Sequence, residues 1–358
     1  MKGIIGVKFY SALNLGDDLF VYILSQRYGE NNILTYSQKI PASLDKIYTL
    51  PRYKYILFRA LEKITRKNFL DIWLNRTSEV YVYIGGSIFI ENNNLQKWKK
   101  NAQAYKDLSI PYYILGSNFG PYKNPEFVSI VRGIVSGAQD ACFRDRASYK
   151  LFKDIPSVRV ATDIAFTLDV NKFRSTPKQS KTAVISVIDA HSRFNKTTAD
   201  RYEREIVHFS RQLVKDGYKV ALMSFCKYEG DEIAVQRILG KMSRKLQESV
   251  SSYAYTGDID EALSVLSEAE IIVASRFHAA VLGLVFGKKV LPIVYSDKTI
   301  NILRDLNFDG PIFDIREIDK FNGRKFDISN LRVNNIDKQK KLAEKQFQEL
   351  DKILEKRK

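Results

Sequence analysis

The chain has 358 residues, of which 45% are hydrophobic and 27% are charged, and this balance excludes a disordered, collagen-like or low-complexity protein. Its 57 basic and 41 acidic side chains give a net charge of +16, which favours anionic partners. Two cysteines are too few for a disulfide framework or a cysteine-rich zinc site. Because a single hydrophobic core rarely serves more than roughly 250–300 residues, the length predicts two domains.

Strand-like apolar runs alternate with helix-like segments along most of the chain. The first run is followed by a glycine-bearing loop and a helix, for which Asp17 or Asp18 is the predicted N-cap. The predicted strands are 3–7, 79–84, 112–115, 141–143, 182–188, 218–224, 271–274 and 290–294. The predicted helices after the first are 95–108, 127–135, 198–215, 231–246, 279–286 and a C-terminal amphipathic helix over 337–358.

Residues 168–181 interrupt this alternation with a polar, proline-containing stretch that is typical of a linker. Strand–helix alternation on both sides of it predicts α/β domains with parallel sheets. We therefore predict two Rossmann-like domains that face each other across a cleft. Their expected bounds are 1–170 and 182–334, followed by a C-terminal helical segment over 335–358.

The densest basic patch covers residues 52–76, where aromatic side chains are interleaved with lysine and arginine. This composition is typical of a helix at an anionic membrane interface, and a solvated helix that packs its aromatics into the core is the alternative. Because no nucleic-acid-binding motif accompanies the charge, we expect no nucleic-acid partner. The longest apolar stretch, 80–90, is shorter than the roughly 20 residues needed to span a bilayer. We expect a cytoplasmic protein that is peripheral to the membrane.

Candidate binding residues of the first predicted domain follow its strands. Glycines let the backbone approach a ligand, helix N-termini attract anions, and ligands bind beyond the carboxyl ends of parallel strands. Each of these positions also has a structural interpretation. Asp17 or Asp18 is either an N-cap or a base for a hydroxyl, and Gly85-Gly86 could simply form a tight turn. Arg144 could form a surface ion pair, and Asp163 could mark the end of a strand. These residues are Asn14, Gly16, Asp17, Asp18, Gly85, Gly86, Ser87, Arg144, Ser148 and Asp163.

A denser cluster follows the strands of the second predicted domain. An arginine at a helix N-terminus is unfavourable unless an anion lies there, and an arginine–histidine pair suits a phosphate or carboxylate. Since unpaired buried cations are costly, the cluster predicts a compact, multiply charged anion as ligand. No histidine and carboxylate set has the spacing of metal ligands, so we expect no metal. The cluster comprises His191, Arg193, Ser275, Arg276, His278, Tyr295 and Lys298.

Taken in order, these motifs resemble the polysaccharide pyruvyl transferase family over about residues 3–305. One departure is Ser87, which stands where a third glycine is often found in the family. The resemblance rests on Asn14-x-Gly16-Asp17-Asp18, Gly85-Gly86-Ser87-x-Phe89, Arg144-Asp145-x-x-Ser148, Asp163, Ser275-Arg276-Phe277-His278-Ala279 and Tyr295-x-x-Lys298.

The resemblance implies a GT-B-like pair of Rossmann domains and a reaction that needs no cofactor. Phosphoenolpyruvate would be the donor, and a hexose, expected to be of the galactose type, the acceptor. The product would be a cyclic pyruvate ketal across two sugar hydroxyls, with phosphate released. The implied setting is bacterial capsule or exopolysaccharide synthesis, with the acceptor carried on a polyprenyl diphosphate at the inner face of the cell membrane.

For that reaction the candidate residues comprise an acid, a base, donor-binding residues and acceptor- or anion-binding residues. His278 is the predicted general acid, and Asp17 or Asp18 the base that acts from across the cleft. The donor-binding candidates are Arg276, Lys298, Arg193, Arg144, Ser275, Tyr295 and His191, and the acceptor- or anion-binding candidates are Asn14, Gly16, Gly85, Gly86, Ser87, Ser148 and Asp163.

Two other functions fit parts of the sequence. A GT-B-type glycosyltransferase would use a nucleotide sugar and would need an acidic residue for the ribose, for which the sequence offers no clear candidate. A non-catalytic protein that binds membranes or nucleic acid through its net charge would be insensitive to changes at Arg276 or His278.

Overall fold

The computed structural model describes residues 3–29, 32–65, 67–92, 94–173 and 181–355, and the predicted linker at 168–181 lies partly outside them. The chain forms two α/β units. The first unit comprises Met1–Ser11, Asp17–Thr167 and Gln339–Lys358, and the second comprises Ala12–Gly16 and Leu168–Lys338. The observed division differs from the expected bounds. A short N-terminal segment belongs to the second unit, which begins again at Leu168, and the chain returns to the first unit at Gln339.

The first unit is built on a seven-stranded sheet in which every strand pair is parallel. Its strands are β1 (Ile4–Lys8), β2 (Asn32–Thr35), β3 (Ile47–Thr49), β4 (Val80–Ile84), β5 (Tyr112–Ser117), β6 (Asp140–Phe143) and β7 (Val158–Val160). The strand order is β3-β2-β1-β4-β5-β6-β7, with Ile5 of β1 paired to Ile33 on one side and to Val80 on the other. All six residues of β5 are buried, as expected for a parallel strand that is covered on both faces.

Helices α1 to α6 belong wholly or mainly to this unit: α1 (Leu15–Arg27), α2 (Arg52–Thr65), α3 (Phe69–Thr77), α4 (Leu95–Lys106), α5 (Pro125–Gly137) and α6 (Arg146–Phe152). The predicted N-cap of α1 is wrong. The Asn14 side-chain oxygen accepts a hydrogen bond from the Gly16 amide at 3.1 Å, and the helix has already begun before Asp17 and Asp18. Both aspartates therefore lie in its first turn, where negative charge is stabilised by the helix dipole.

The second unit contains a six-stranded parallel sheet of order β10-β9-β8-β11-β12-β13. Its strands are β8 (Thr182–Ser186), β9 (Lys219–Ser224), β10 (Val250–Ala254), β11 (Ile271–Ala274), β12 (Lys289–Val294) and β13 (Phe313–Asp314). Its helices are α7 (Lys196–Lys215), α8 (Asp231–Gly240), α9 (Arg244–Gln247), α10 (Ile259–Ser267), α11 (Phe277–Val285) and α12 (Asp297–Asp305). The prediction of two Rossmann-like domains is confirmed. The single helix predicted over 231–246 is instead α8 and α9, because Gly240 disfavours helix and Ser243 is extended, with ψ 152°.

The C-terminal segment forms two helices, α13 (Asp337–Ala343) and α14 (Gln348–Glu355), so the prediction of one continuous helix is wrong. A 3₁₀ turn at Glu344–Gln346 separates them and directs the Gln346 side chain into the first unit. There Gln346 accepts from the Gly116 amide at 3.0 Å and donates to the Thr162 carbonyl at 2.9 Å. The predicted apolar face is buried at Phe347, Leu350 and Leu354. Among all the described helices, none has the length and apolar character needed to cross a membrane.

Candidate functional site

Polar side chains from separate parts of the chain meet at one edge of the second sheet. Arg193 follows β8, Glu229 ends a 3₁₀ turn after β9, and Arg276 follows β11 as the N-cap residue of α11. Asn14 reaches the same place from the N-terminal segment, where it forms a backbone bridge with Cys226. Because β9, β8 and β11 are neighbouring parallel strands, their carboxyl ends lie together, at the edge where such sheets bind ligands.

Arg276 is held by two carboxylates. Its Nε donates to Asp231 at 2.9 Å, its Nη2 donates to the other oxygen of the same carboxylate, and its Nη1 donates to Glu229 at 2.5 Å. Burial alone would lower the pKa of Arg276, but the negative charges of Asp231 and Glu229 raise it above its ordinary value. The expectation that this arginine needs an external anion is therefore wrong, since the protein supplies its counter-ions.

Glu229 is the point at which three predicted binding residues converge. One carboxylate oxygen accepts from Arg276 and from Arg193 Nη2 at 2.6 Å, and the other accepts from Asn14 Nδ2 at 3.5 Å. Burial tends to raise the pKa of Glu229, but the neighbouring arginines outweigh burial and lower it. The sequence analysis missed both Glu229 and Asp231. The available signal was a pair of acids two positions apart, one in the short loop after the strand that ends at Ser224 and one at the start of the next helix.

The turn that carries Arg276 is fixed by hydroxyl groups. The Ser186 Oγ accepts from the amides of both Ser275 and Arg276 at 3.1 Å. The Ser275 Oγ in turn lies 2.9 Å from the Tyr202 hydroxyl, and both side chains are buried. Ser275 therefore acts as a positioning residue for Arg276.

His278 lies in the first turn of α11 and is half-buried. A Cβ atom at Gly16 would overlap its imidazole ring, so only glycine permits this close approach. The guanidinium of Arg193 lies over the ring of Tyr295, 4.9 Å from its centroid, and this contact restrains the arginine. Lys298 lies in the first turn of α12, which follows β12, the strand that pairs with β11.

His191 has a different environment. Its Nε2 lies 3.4 Å from Asp200 and 3.6 Å from Glu203, and the three side chains could together hold a metal ion. However, Glu203 already accepts from Arg237 at 2.8 Å and from Lys241 at 2.5 Å. These basic side chains supply the countercharge, so we assign no metal here, and the contacts that the structure describes for His191 include neither Arg193 nor Arg276.

In the first unit, Arg144 forms a buried ion pair rather than a surface one. It donates to Asp163 at 2.6 Å and to the Asn118 side-chain oxygen at 2.9 Å. A Cβ atom at Gly86 would lie 2.6 Å from its Nη1, so this glycine makes room for the guanidinium. Arg144 thus supports the turn at Gly85 and Gly86. Within the described part of the chain no helix follows that turn directly, because α4 begins only at Leu95, so the turn presents no helix N-terminus to an anion.

The remaining candidates of the first unit divide into buried and accessible groups. Asp145 caps α6 by accepting from the Ser148 amide at 2.8 Å, and the Ser148 hydroxyl donates to the same carboxylate at 2.7 Å and accepts from the Phe119 amide at 2.7 Å. Asp18 is fully buried, whereas Asp17 is half-buried beside Gly85 and Ser87 is exposed.

Comparisons with known proteins agree with this architecture. A curated relative, the amylovoran biosynthesis protein AmsJ of Erwinia amylovora, is 21% identical over 261 residues, which cover 67% of this chain and 62% of AmsJ. A putative UDP-N-acetylglucosamine 2-epimerase from Listeria monocytogenes has a TM-score of 0.55 at 9% identity, covering 99% of this chain and 95% of its own. HepE from Anabaena, solved in complex with UDP and glucose, has a TM-score of 0.54 at 11% identity, with 99% of each chain covered.

These two structural likenesses establish the fold alone. The sequence profile of the polysaccharide pyruvyl transferase family matches residues 14–298, which is most of the chain. The matched region includes every residue of the Glu229 convergence and the His278 turn. The chain belongs to the polysaccharide pyruvyl transferase family.

Proposed function

We propose that this protein transfers pyruvate from phosphoenolpyruvate to two hydroxyls of one sugar, forming a cyclic ketal and releasing phosphate. The observation that carries the proposal is the meeting of Arg193, Arg276 and His278 at one sheet edge in a chain of this family. Guanidinium groups present paired N–H donors that match carboxylates and phosphates, which are the two anionic groups of phosphoenolpyruvate.

The chemistry requires an acid and positive charge near the donor. A proton added to the methylene carbon creates a methyl group and an oxocarbenium-like centre at carbon 2. One sugar hydroxyl bonds to that carbon, the carbon–oxygen bond to phosphate breaks, and the second hydroxyl closes the ketal. The two hydroxyl protons end on the methyl group and on the phosphate. We assign the acid role to His278, and Asp17, which keeps some exposure, is the better candidate base than the buried Asp18.

Donor binding is assigned to Arg193, Arg276 and Lys298. Arg144 is committed to Asp163 and Asn118, so we assign it to support of the first unit. The name of AmsJ supports an acceptor in exopolysaccharide synthesis. We propose a galactose-type hexose on a polyprenyl diphosphate as that acceptor.

Ligand-dependent thermal stability tests the donor assignment. Phosphoenolpyruvate at 100 times its Kd is expected to stabilise the protein by about 2.7 kcal/mol, because it binds the native state alone. UDP at the same concentration is the matched comparison and is expected to leave the unfolding midpoint unchanged. A shift with UDP and none with phosphoenolpyruvate would overturn the proposal in favour of a nucleotide-sugar-dependent transferase.

The basic segment at 52–76 supports a membrane location, because α2 exposes an apolar stripe. No described residue of α2 is buried, and Tyr53, Ile56, Leu57 and Ile64 on one face are between 54% and 79% exposed. On the opposite face, Phe58 stacks on a ring of α3 with centroids 6.3 Å apart. The core-packing alternative therefore applies to Phe58 but not to the stripe.

Basic side chains flank this stripe, and each adds about 1 kcal/mol of attraction near an anionic bilayer. We propose that α2 lies in the headgroup region at the inner face of the cell membrane, where a lipid-linked acceptor would be found. Arg66, one of the residues in the predicted patch, lies outside the described residues. The described basic residues of this helix and its C-terminal flank are Arg52, Lys54, Arg59, Lys63 and Lys67.

Vesicle flotation checks the membrane proposal. Lys54→Gln/Lys63→Gln is expected to weaken binding to phosphatidylglycerol vesicles about 30-fold, which corresponds to two charges. The matched control is Lys338→Gln/Lys341→Gln, which removes the same charge from α13 and should bind like the parent. Equal flotation of the α2 variant and the parent would rule out this surface.

A further inference from the structure

Glu229 lies at the centre of the arginine cluster, yet the proposed reaction assigns it no role. Its carboxylate occupies the outward N–H groups of the two arginines that the donor would need. Arg276 presents Nη1 to Glu229 at 2.5 Å and Arg193 presents Nη2 at 2.6 Å, both to the same oxygen. A donor carboxylate or phosphate bound by these two arginines would have to take the place of that oxygen.

The two carboxylates around Arg276 differ in how firmly they are fixed. Asp231 is fully buried, begins α8, and also accepts from the amides of Phe225 and Cys226 at 3.1 and 3.0 Å. By contrast, 28% of the Glu229 side chain and 29% of the Arg193 side chain are exposed. The Asp231 contact is therefore the buried one that orients Arg276, whereas the Glu229 contact is partly exposed.

Glu229 lies in an exposed turn. It ends a short 3₁₀ turn whose other members, Lys227 and Tyr228, are exposed. Gly230 follows as the N-cap residue of α8, and its carbonyl accepts from the Ala234 amide at 3.1 Å. A rotation of the Glu229 side chain would release the two arginines and leave this backbone, strand β9 and helix α8 in place.

Charge explains why withdrawal would accompany binding. Arg193 and Arg276 carry two positive charges, which Glu229 and Asp231 balance. A ligand that bears both a carboxylate and a phosphate would be repelled by Glu229 but attracted by the arginines once Glu229 has moved. A ligand with one carboxylate is attracted less strongly by the two arginines, so it gains less binding energy when it replaces Glu229.

We propose that Glu229 is a competing carboxylate that occupies Arg193 and Arg276 until an anionic donor displaces it, and that it thereby lowers the affinity of the site for the donor. This inference rests on the proposed function and adds a competitor to its donor site. A ligand with two anionic groups is attracted to the arginines more strongly than a monocarboxylate is, so it offsets the cost of the displacement more fully.

Titration calorimetry of the full chain tests this role with phosphoenolpyruvate, inorganic phosphate and pyruvate as probes. Glu229→Gln removes the competing charge at nearly constant shape, and we expect phosphoenolpyruvate to bind about tenfold more tightly. Pyruvate, which carries a single negative charge, should gain less than phosphoenolpyruvate does, because the repulsion from Glu229 grows with the charge of the ligand. The matched control is Glu232→Gln, a neighbour that lies 3.8 Å from Lys227 and whose described contacts include neither arginine, and it should bind like the parent.

A second variant separates charge competition from a purely structural link. Glu229→Asp keeps the charge but shortens the side chain, so it should tighten phosphoenolpyruvate binding by a smaller factor than Glu229→Gln. Unchanged or weaker binding in both variants would overturn the role of Glu229 while leaving the donor assignment intact. Absence of phosphoenolpyruvate binding in the parent and both variants would overturn the donor assignment itself.

Discussion

Replacing Arg276 with methionine is expected to lower the free energy of unfolding by about 3–5 kcal/mol and to abolish phosphoenolpyruvate binding. The stability loss arises because Asp231, whose side chain is fully buried, is left without its charged partner. Binding is lost because the variant lacks the more buried of the two guanidinium groups that would contact the donor. Denaturant unfolding and calorimetry of the same preparation would measure both effects.

Two further variants make this prediction specific. Arg276→Met/Asp231→Asn removes both charges, so it should regain a large part of the lost stability while still failing to bind the donor. Arg316→Met breaks an ion pair with Asp314 in which 41% of the arginine side chain is exposed, and it should barely change the unfolding midpoint. If Arg276→Met were as stable as Arg316→Met, the buried pair would not be a structural element of the site.

Replacing His278 with glutamine is expected to lower turnover by about 10²–10⁴-fold, which is the usual contribution of a positioned general acid. Phosphoenolpyruvate affinity should remain within a few-fold of the parent value, because the arginines are untouched. Phosphate release from phosphoenolpyruvate with a panel of aryl hexosides as acceptors would measure turnover, and calorimetry would measure affinity.

His208→Gln is the matched control for this experiment. His208 lies in α7, 3.3 Å from Glu205 and 2.8 Å from Arg324, away from the strand ends that carry the site. It should leave turnover unchanged. Normal turnover in His278→Gln would assign the acid role to another group, whereas loss of donor affinity alone would make His278 a binding residue.

The central strands were predictable because parallel strands buried on both faces appear as uninterrupted apolar runs. Val80–Ile84 and Ile271–Ala274 show this, since each is bounded by turn residues and is nearly or fully buried. Edge strands such as Ile47–Thr49 and Phe313–Asp314 were missed. These strands contain only three and two residues, which is too few for the hydrophobic pattern of a strand to be recognised in the sequence.

Part of the site was also predictable, for a topological reason. Polar residues that follow neighbouring parallel strands must share one edge of the sheet, so chain order alone groups Arg193, Arg276 and His278. Their partners could not be found in this way. Glu229 and Asp231 join the cluster because the strand order places β9 beside β8 and brings these acids to the arginines.

The fold class, the family motifs and the edge of the second sheet that carries the arginines and His278 follow from the amino-acid sequence, because they depend on local periodicity and chain order. Which charges are neutralised within the protein depends on the folded chain. It paired Arg276 with Asp231 and Arg144 with Asp163, and it broke the C-terminal helix so that Gln346 could bond to the first unit. Those outcomes depend on contacts between residues distant in the chain, where burial makes an unpaired charge or amide costly.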